Sequence, residues 1–135
     1  MSLQIKSLTV SAPTVDNSLA AQNDSFNTIP TANTVYDLYS APTDPNTKKA
    51  AIVKSIRLAN THTATVKVTL YFMRPNSSGA YRRRLLTPVD LPLTANYVYI
   101  DDSEITLEPG DRIQGKADYG AVIQYLISGV EREVI

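Results

Sequence analysis

The sequence contains no cysteine and no tryptophan, and it has a single histidine among 135 residues. Without cysteine there is no disulfide, no thiolate metal site and no cysteine nucleophile. With only His62, a metal centre built from several histidines is out of reach. Neither sign of charge is in excess, since 13 lysines and arginines face 13 aspartates and glutamates. A nucleic-acid binder carries a basic surplus, so no nucleic-acid partner is expected. Zero net charge also favours association over repulsion between copies. No window approaches the roughly 18 apolar residues of a membrane span. The opening Met1–Lys6 lacks the basic head and apolar run of a signal peptide. The expectation is a soluble chain with no membrane partner. The five glycines stand apart and form no phosphate-cradling loop.

What the chain has instead is threonine, serine, asparagine and tyrosine, a composition that suits strands and turns better than helices. Its length allows one domain with a real core. Residues 1–34 open with a short alternating segment, Leu3 and Ile5. A stretch with neither helical nor strand period follows, Ser11 to Thr34, carrying scattered Val15, Leu19, Phe26 and Ile29. A structureless stretch of that length is uncommon inside a compact domain. It reads as an extended N-terminal arm anchored on neighbouring subunits by Phe26 and Ile29, or as a segment wrapping its own domain.

From residue 35 onward the pattern is dense in strands. Val35–Tyr39 is β-prone, and Asp44-Pro45-Asn46 is a turn. Ala51–Ala59 predicts a strand with Ile52, Ile56 and Leu58 on one side, interrupted by Lys54. Thr63–Met73 alternates strictly, with Ala64, Val66, Val68, Leu70 and Phe72 facing one way. Tyr81–Leu86 is a strand bearing Arg82, Arg83 and Arg84. Pro88 and Pro92 confine the next piece to an edge or a connection. Tyr97–Ile100 alternates again, and Glu108-Pro109-Gly110-Asp111 places Pro and Gly where a type II turn wants them. Short strands with turns every 8–12 residues predict an all-β fold, a single β-sandwich or jelly roll of antiparallel strands. The expected organisation is a strand and extended arm over 1–34 and a β-sandwich domain over 35–135.

Few residues offer chemistry. His62 sits in a predicted turn with no nucleophile or orienting acid beside it in sequence. Asp101, Asp102 and Glu104 form the densest acidic cluster, yet neighbours on a strand point to opposite faces. They read as a solvated strand end, with a calcium site as the alternative. The arginine run reads as an edge-guarding strand, as a partner for acids on a neighbouring subunit, or as a phosphate contact. Tyrosine offers large area with a polar tip and is favoured at interfaces. The candidate interface residues are therefore Phe26, Ile29, Tyr36, Tyr39, Arg82, Arg83, Arg84, Tyr97 and Tyr99. No catalytic residue, cofactor or metal ligand is expected.

The run Ala51–Thr61 followed by Thr65–Leu70 resembles small β-sandwich virion proteins of tailed phages and prophages. Ile105–Ile113 and the closing Ile127–Glu131 are similar to the same group. The resemblance spans about residues 35–132 and brings no catalytic residues with it. It implies a non-enzymatic virion subunit assembled in the host cytoplasm, most of all a capsid-decorating or cementing protein. Such a subunit would act on other capsid or tail proteins and on copies of itself as a homo-oligomer. A tail, collar or fibre component is the alternative, as is a carbohydrate- or receptor-binding β-sandwich.

Overall fold

The computed structural model describes residues 3–7, 14–15, 28–43, 48–75 and 81–133. Among them there is no helix. The strands are β1 (Leu3–Ser7), β2 (Thr14–Val15), β3 (Tyr36–Ser40), β4 (Lys49–Asn60), β5 (Val66–Pro75) and β6 (Tyr81–Leu85). They continue with β7 (Leu91–Leu93), β8 (Val98–Asp101), β9 (Ile105–Leu107), β10 (Arg112–Ala117) and β11 (Ile123–Glu133). One sheet, here sheet A, runs β1-β11-β4-β8, with β9 also on β4; the other, sheet B, runs β2-β3-β10-β5-β6, with β7 also on β5. Every pairing is antiparallel. Read through β1, β3, β4, β5, β6, β8, β10 and β11, this is the strand order of a jelly roll. Two Greek keys close one sheet over the other.

The core lies between the sheets. Val66, Val68 and Leu70 of β5, with Ile113 and Ala117 of β10, meet Val53, Ile56 and Leu58 of β4 and Ile123 and Ile127 of β11. Each is essentially inaccessible to solvent, and each large aliphatic so placed contributes about 2 kcal/mol relative to exposure. The strict alternation of β5 thus marks a core face, as expected.

Two features depart from the sequence reading. In β4, Ser55 pairs with Ser128 while Val53 pairs with Gly129, so Lys54 is an extra residue opposite no partner. This β-bulge reverses the parity of the strand. Ala51 and Val53 point inward with Ile56 and Leu58, and Ile52, expected in the core, points out. The second concerns β5, which begins at Val66 rather than Thr63. The buried Asn60 ties down the intervening loop. Its Nδ2 donates to the carbonyls of Ala64, Leu93 and Thr94, and its Oδ1 accepts from the His62 amide.

The turn at Glu108–Asp111 is the predicted one. The Asp111 amide donates to the Glu108 carbonyl at 2.9 Å, and Gly110 takes φ of 93°, a value that glycine alone adopts without strain. Pro92 lies on the edge strand β7, as prolines in sheets do. The predicted turn at Asp44-Pro45-Asn46 and the residue Phe26 lie outside the described residues.

Candidate protein interface

The residues proposed from sequence as interface anchors separate into two groups. Ile29, Tyr36 and Tyr39 are 0%, 5% and 8% exposed and belong to the chain's own core. Ile29 is no outward-reaching anchor. Its amide donates to the Ile123 carbonyl, its carbonyl accepts from Ala121, and Thr28 bridges to Gln124. The described part of the first 34 residues is thus built into the sandwich, with β1 on β11 and β2 on β3. The physical reason is plain for Ile29: an apolar side chain next to the open end of the core gains more from filling it than from waiting for a partner.

Tyr39 and Glu131 bridge the two sheets at one end. The Tyr39 hydroxyl donates to Glu131 Oε2 at 2.5 Å, and Lys49 Nζ stands 3.7 Å from Oε1. Burial, reinforced by the hydrogen bond to Glu131, pushes the Tyr39 hydroxyl well above the ordinary tyrosine range. Tyr99 is half-buried against the core and shifted the same way by burial, then by Asp101 and Tyr97. Tyr97 is about half exposed.

The three arginines divide as strand geometry requires, two to one face and one to the other. Arg83 lies on the outer side of sheet B, its guanidinium 5.2 Å from the Tyr71 ring and its Nε donating to Gln114 Oε1. Gln114 Nε2 passes the contact on to Asp37 Oδ1, and Arg112 Nη1 holds Asp37 Oδ2 at 2.9 Å. A fully buried Gln and a nearly buried Asp are tolerable only in such a chain of satisfied groups. Arg82 and Arg84 take the other face, opposite Arg74 and Phe72 of β5.

The surface that sequence reasoning missed is the outer face of sheet A. Ile52, Val98, Ile100 and Leu126 are 37–47% exposed there. The register sets them in rows across the strands: Leu126, Arg57, Ile100; then Gln124, Ala59, Val98; and, past the bulge, Val130, Ile52, Thr106. At the last row a depression of about 400 Å³ is lined by Ala50, Ala51, Ile52, Thr106, Val130 and Arg132. A sheet with one solvated face ordinarily turns polar residues outward, and this one sets four exposed aliphatics among Arg57, Gln124 and Thr106. In sequence, the alternation of Val98 and Ile100 does not say which face of the sandwich they occupy.

The candidate chemical groups do not converge. His62 stacks on Tyr119 with ring centres 4.1 Å apart. Asp101 Oδ1 accepts from the Ser103 amide, and Glu104 pairs with Lys54 at 2.6 Å. Among the described residues no group of three or more histidines or acids is placed to hold a metal ion. No protein-family model, curated protein or solved structure matches the chain.

Proposed function

We propose that the chain is a non-enzymatic structural subunit of a tailed-phage type of virion, a capsid-decorating or cementing protein acting through protein–protein contacts. The observation that carries this reading is the outer face of sheet A. Exposed aliphatics gathered on one sheet face, Leu126 and Ile100 on either side of Arg57 with Val98 two residues from Ile100, mark a surface that another macromolecule covers. Here Arg57 lies within the apolar rows, and arginine among aliphatics is the composition of protein interfaces rather than of sugar sites. The jelly-roll order adds a fold-level analogy, since that architecture recurs in viral capsid domains, although a fold alone fixes no function. The occupant of the face is a shell protein of the same particle.

The test is sedimentation and immunogold labelling of particles released from cells that carry the gene. The chain banding with particles at fixed stoichiometry supports the reading, and Ile100→Asp with Leu126→Asp should return it to the soluble fraction while leaving it folded. Wild-type chain absent from every particle fraction overturns it.

A further inference from the structure

The inner face of β6 carries an unusual arrangement. Arg82 stands directly across from Arg74, and Arg84 directly across from Phe72. Like charges opposite one another in a sheet repel. Arg74 is compensated, because its Nε and Nη2 grip the Asp111 carboxylate and Glu108 lies 3.9 Å away. Arg82 and Arg84 have no carboxylate partner among the described residues. With Phe72 and Arg74 they line a depression of about 180 Å³. Phe72 forms an apolar wall with the Arg74 guanidinium 5.3 Å from its ring. An apolar wall and two uncompensated forks make a site for carboxylate oxygens, which arginine takes bidentately.

The same chain carries the complementary group. Asp101, Asp102 and Glu104 lie at and just after the end of β8, exposed or half-exposed. Among the described residues Glu104 is held only by an exposed pair with Lys54, a contact of little strength. Both features lie on one side of the sandwich. β7 of sheet B and β8 of sheet A are the edge partners of β5 and β4, and Asn60 touches the Leu93 and Thr94 carbonyls on one side and the Tyr97 carbonyl on the other. They also lie at one level. β4 and β5 are joined by the short connection 61–65, and the acidic loop flanks Lys54, six residues before Asn60. Arg84 flanks Phe72, six residues after Val66. Six residues of strand rise about 20 Å on either side.

We infer that the Phe72–Arg74–Arg82–Arg84 pocket receives the Asp101–Glu104 loop of a second copy of this chain. A two-fold axis parallel to the strands brings sheet A of one copy beside sheet B of the other without changing level. Loop therefore meets pocket twice, in an isologous pair. The inference deepens the subunit reading by naming a partner, and it uses the sandwich edge rather than the outer face of sheet A.

The test is a charge swap on the full chain, read by light scattering. One variant carries Arg82→Glu and Arg84→Glu, the other Asp102→Lys and Glu104→Lys. Wild type is expected as a dimer whose dissociation constant rises about tenfold or more toward 1 M salt, where the screening length is about 3 Å. Each variant alone should be monomeric. Their equimolar mixture should dimerise again, because acid then meets base at both contacts. A wild type that is monomeric at low salt and high concentration overturns the inference, as does a mixture that stays monomeric while wild type pairs. If the glutamate variant does not fold, Arg82→Ser with Arg84→Ser replaces it, and a dimer as tight as wild type then overturns the inference. Failure here with the chain still banding on particles removes the pocket assignment and leaves the subunit reading standing.

Discussion

Arg74 of β5 closes the Pro-Gly turn by gripping Asp111 with two nitrogens, Nε to Oδ1 at 3.0 Å and Nη2 to Oδ2 at 2.6 Å. The carboxylate is 2% exposed and also accepts the Glu108 amide at 2.8 Å. The arginine remains partly in water, with its side chain 41% exposed, so the two partners are not equivalent. Arg74→Ala strands a buried carboxylate and should cost about 2–3 kcal/mol. Asp111→Asn keeps the shape and should cost less, about 1 kcal/mol. Urea unfolding of both variants measures the difference, and equal costs would contradict the asymmetry.

The Tyr39–Glu131 contact makes stability sensitive to alkali. A tyrosine in the unfolded chain loses its proton near pH 10, whereas the folded chain holds that proton more tightly. The contribution is therefore complete below about pH 10 and is lost as pH rises further, with Tyr99 acting in the same direction. Tyr39→Phe should cost about 1–2 kcal/mol at neutral pH by removing a donor from a buried carboxylate. It should also flatten the decline above pH 10. Midpoints of urea unfolding between roughly pH 7 and 11 test both, and parallel curves for variant and wild type would sink the assignment.

Gly129 lies where the bulge of β4 presses on β11. A methyl group there would overlap the Ile52 carbonyl oxygen and touch Val53 Cα. Backbone cannot step aside as a side chain does. Gly129→Ala should therefore cost about 3 kcal/mol or unfold the domain. A melting temperature within a degree or two of wild type would show that the strands have room to separate.

Ile29 fills the core from the segment between β2 and β3. Ile29→Ala should cost about 2–4 kcal/mol. Deleting residues 1–34 should cost more than that, because β1 and β2 leave with it. A truncated chain that melts as cooperatively as the full one would show that this segment is only appended.

Much of this was visible in the residues, and the limits have physical causes. The alternation in Val66–Leu70 and the Pro-Gly pair at 109–110 act locally, so strand and turn follow from short-range rules. The division of Arg82 and Arg84 from Arg83 is equally local. The parity of Ile52 is not, since it depends on one extra residue opposite Ser128 and Gly129 on a distant strand. The exposed rows of sheet A were hidden for a related reason: alternation says that a strand has two faces, and only sheet order says which is covered. Ile29 lacked any periodic context, and only the closed sandwich shows the gap it fills.

The jelly-roll order also sets a timetable. β10 is the middle of sheet B, between β3 and β5, and β11 lies inside sheet A, between β1 and β4. Both come after all the strands they pair with. On the ribosome, neither sheet can close until the last fifth of this sequence has emerged. Until then β4 and β5 wait with open edges and uncovered aliphatics, and non-local pairing of this kind is slow. The period between synthesis and closure, rather than the finished sandwich, is where this chain is most exposed to aggregation and most in need of a chaperone.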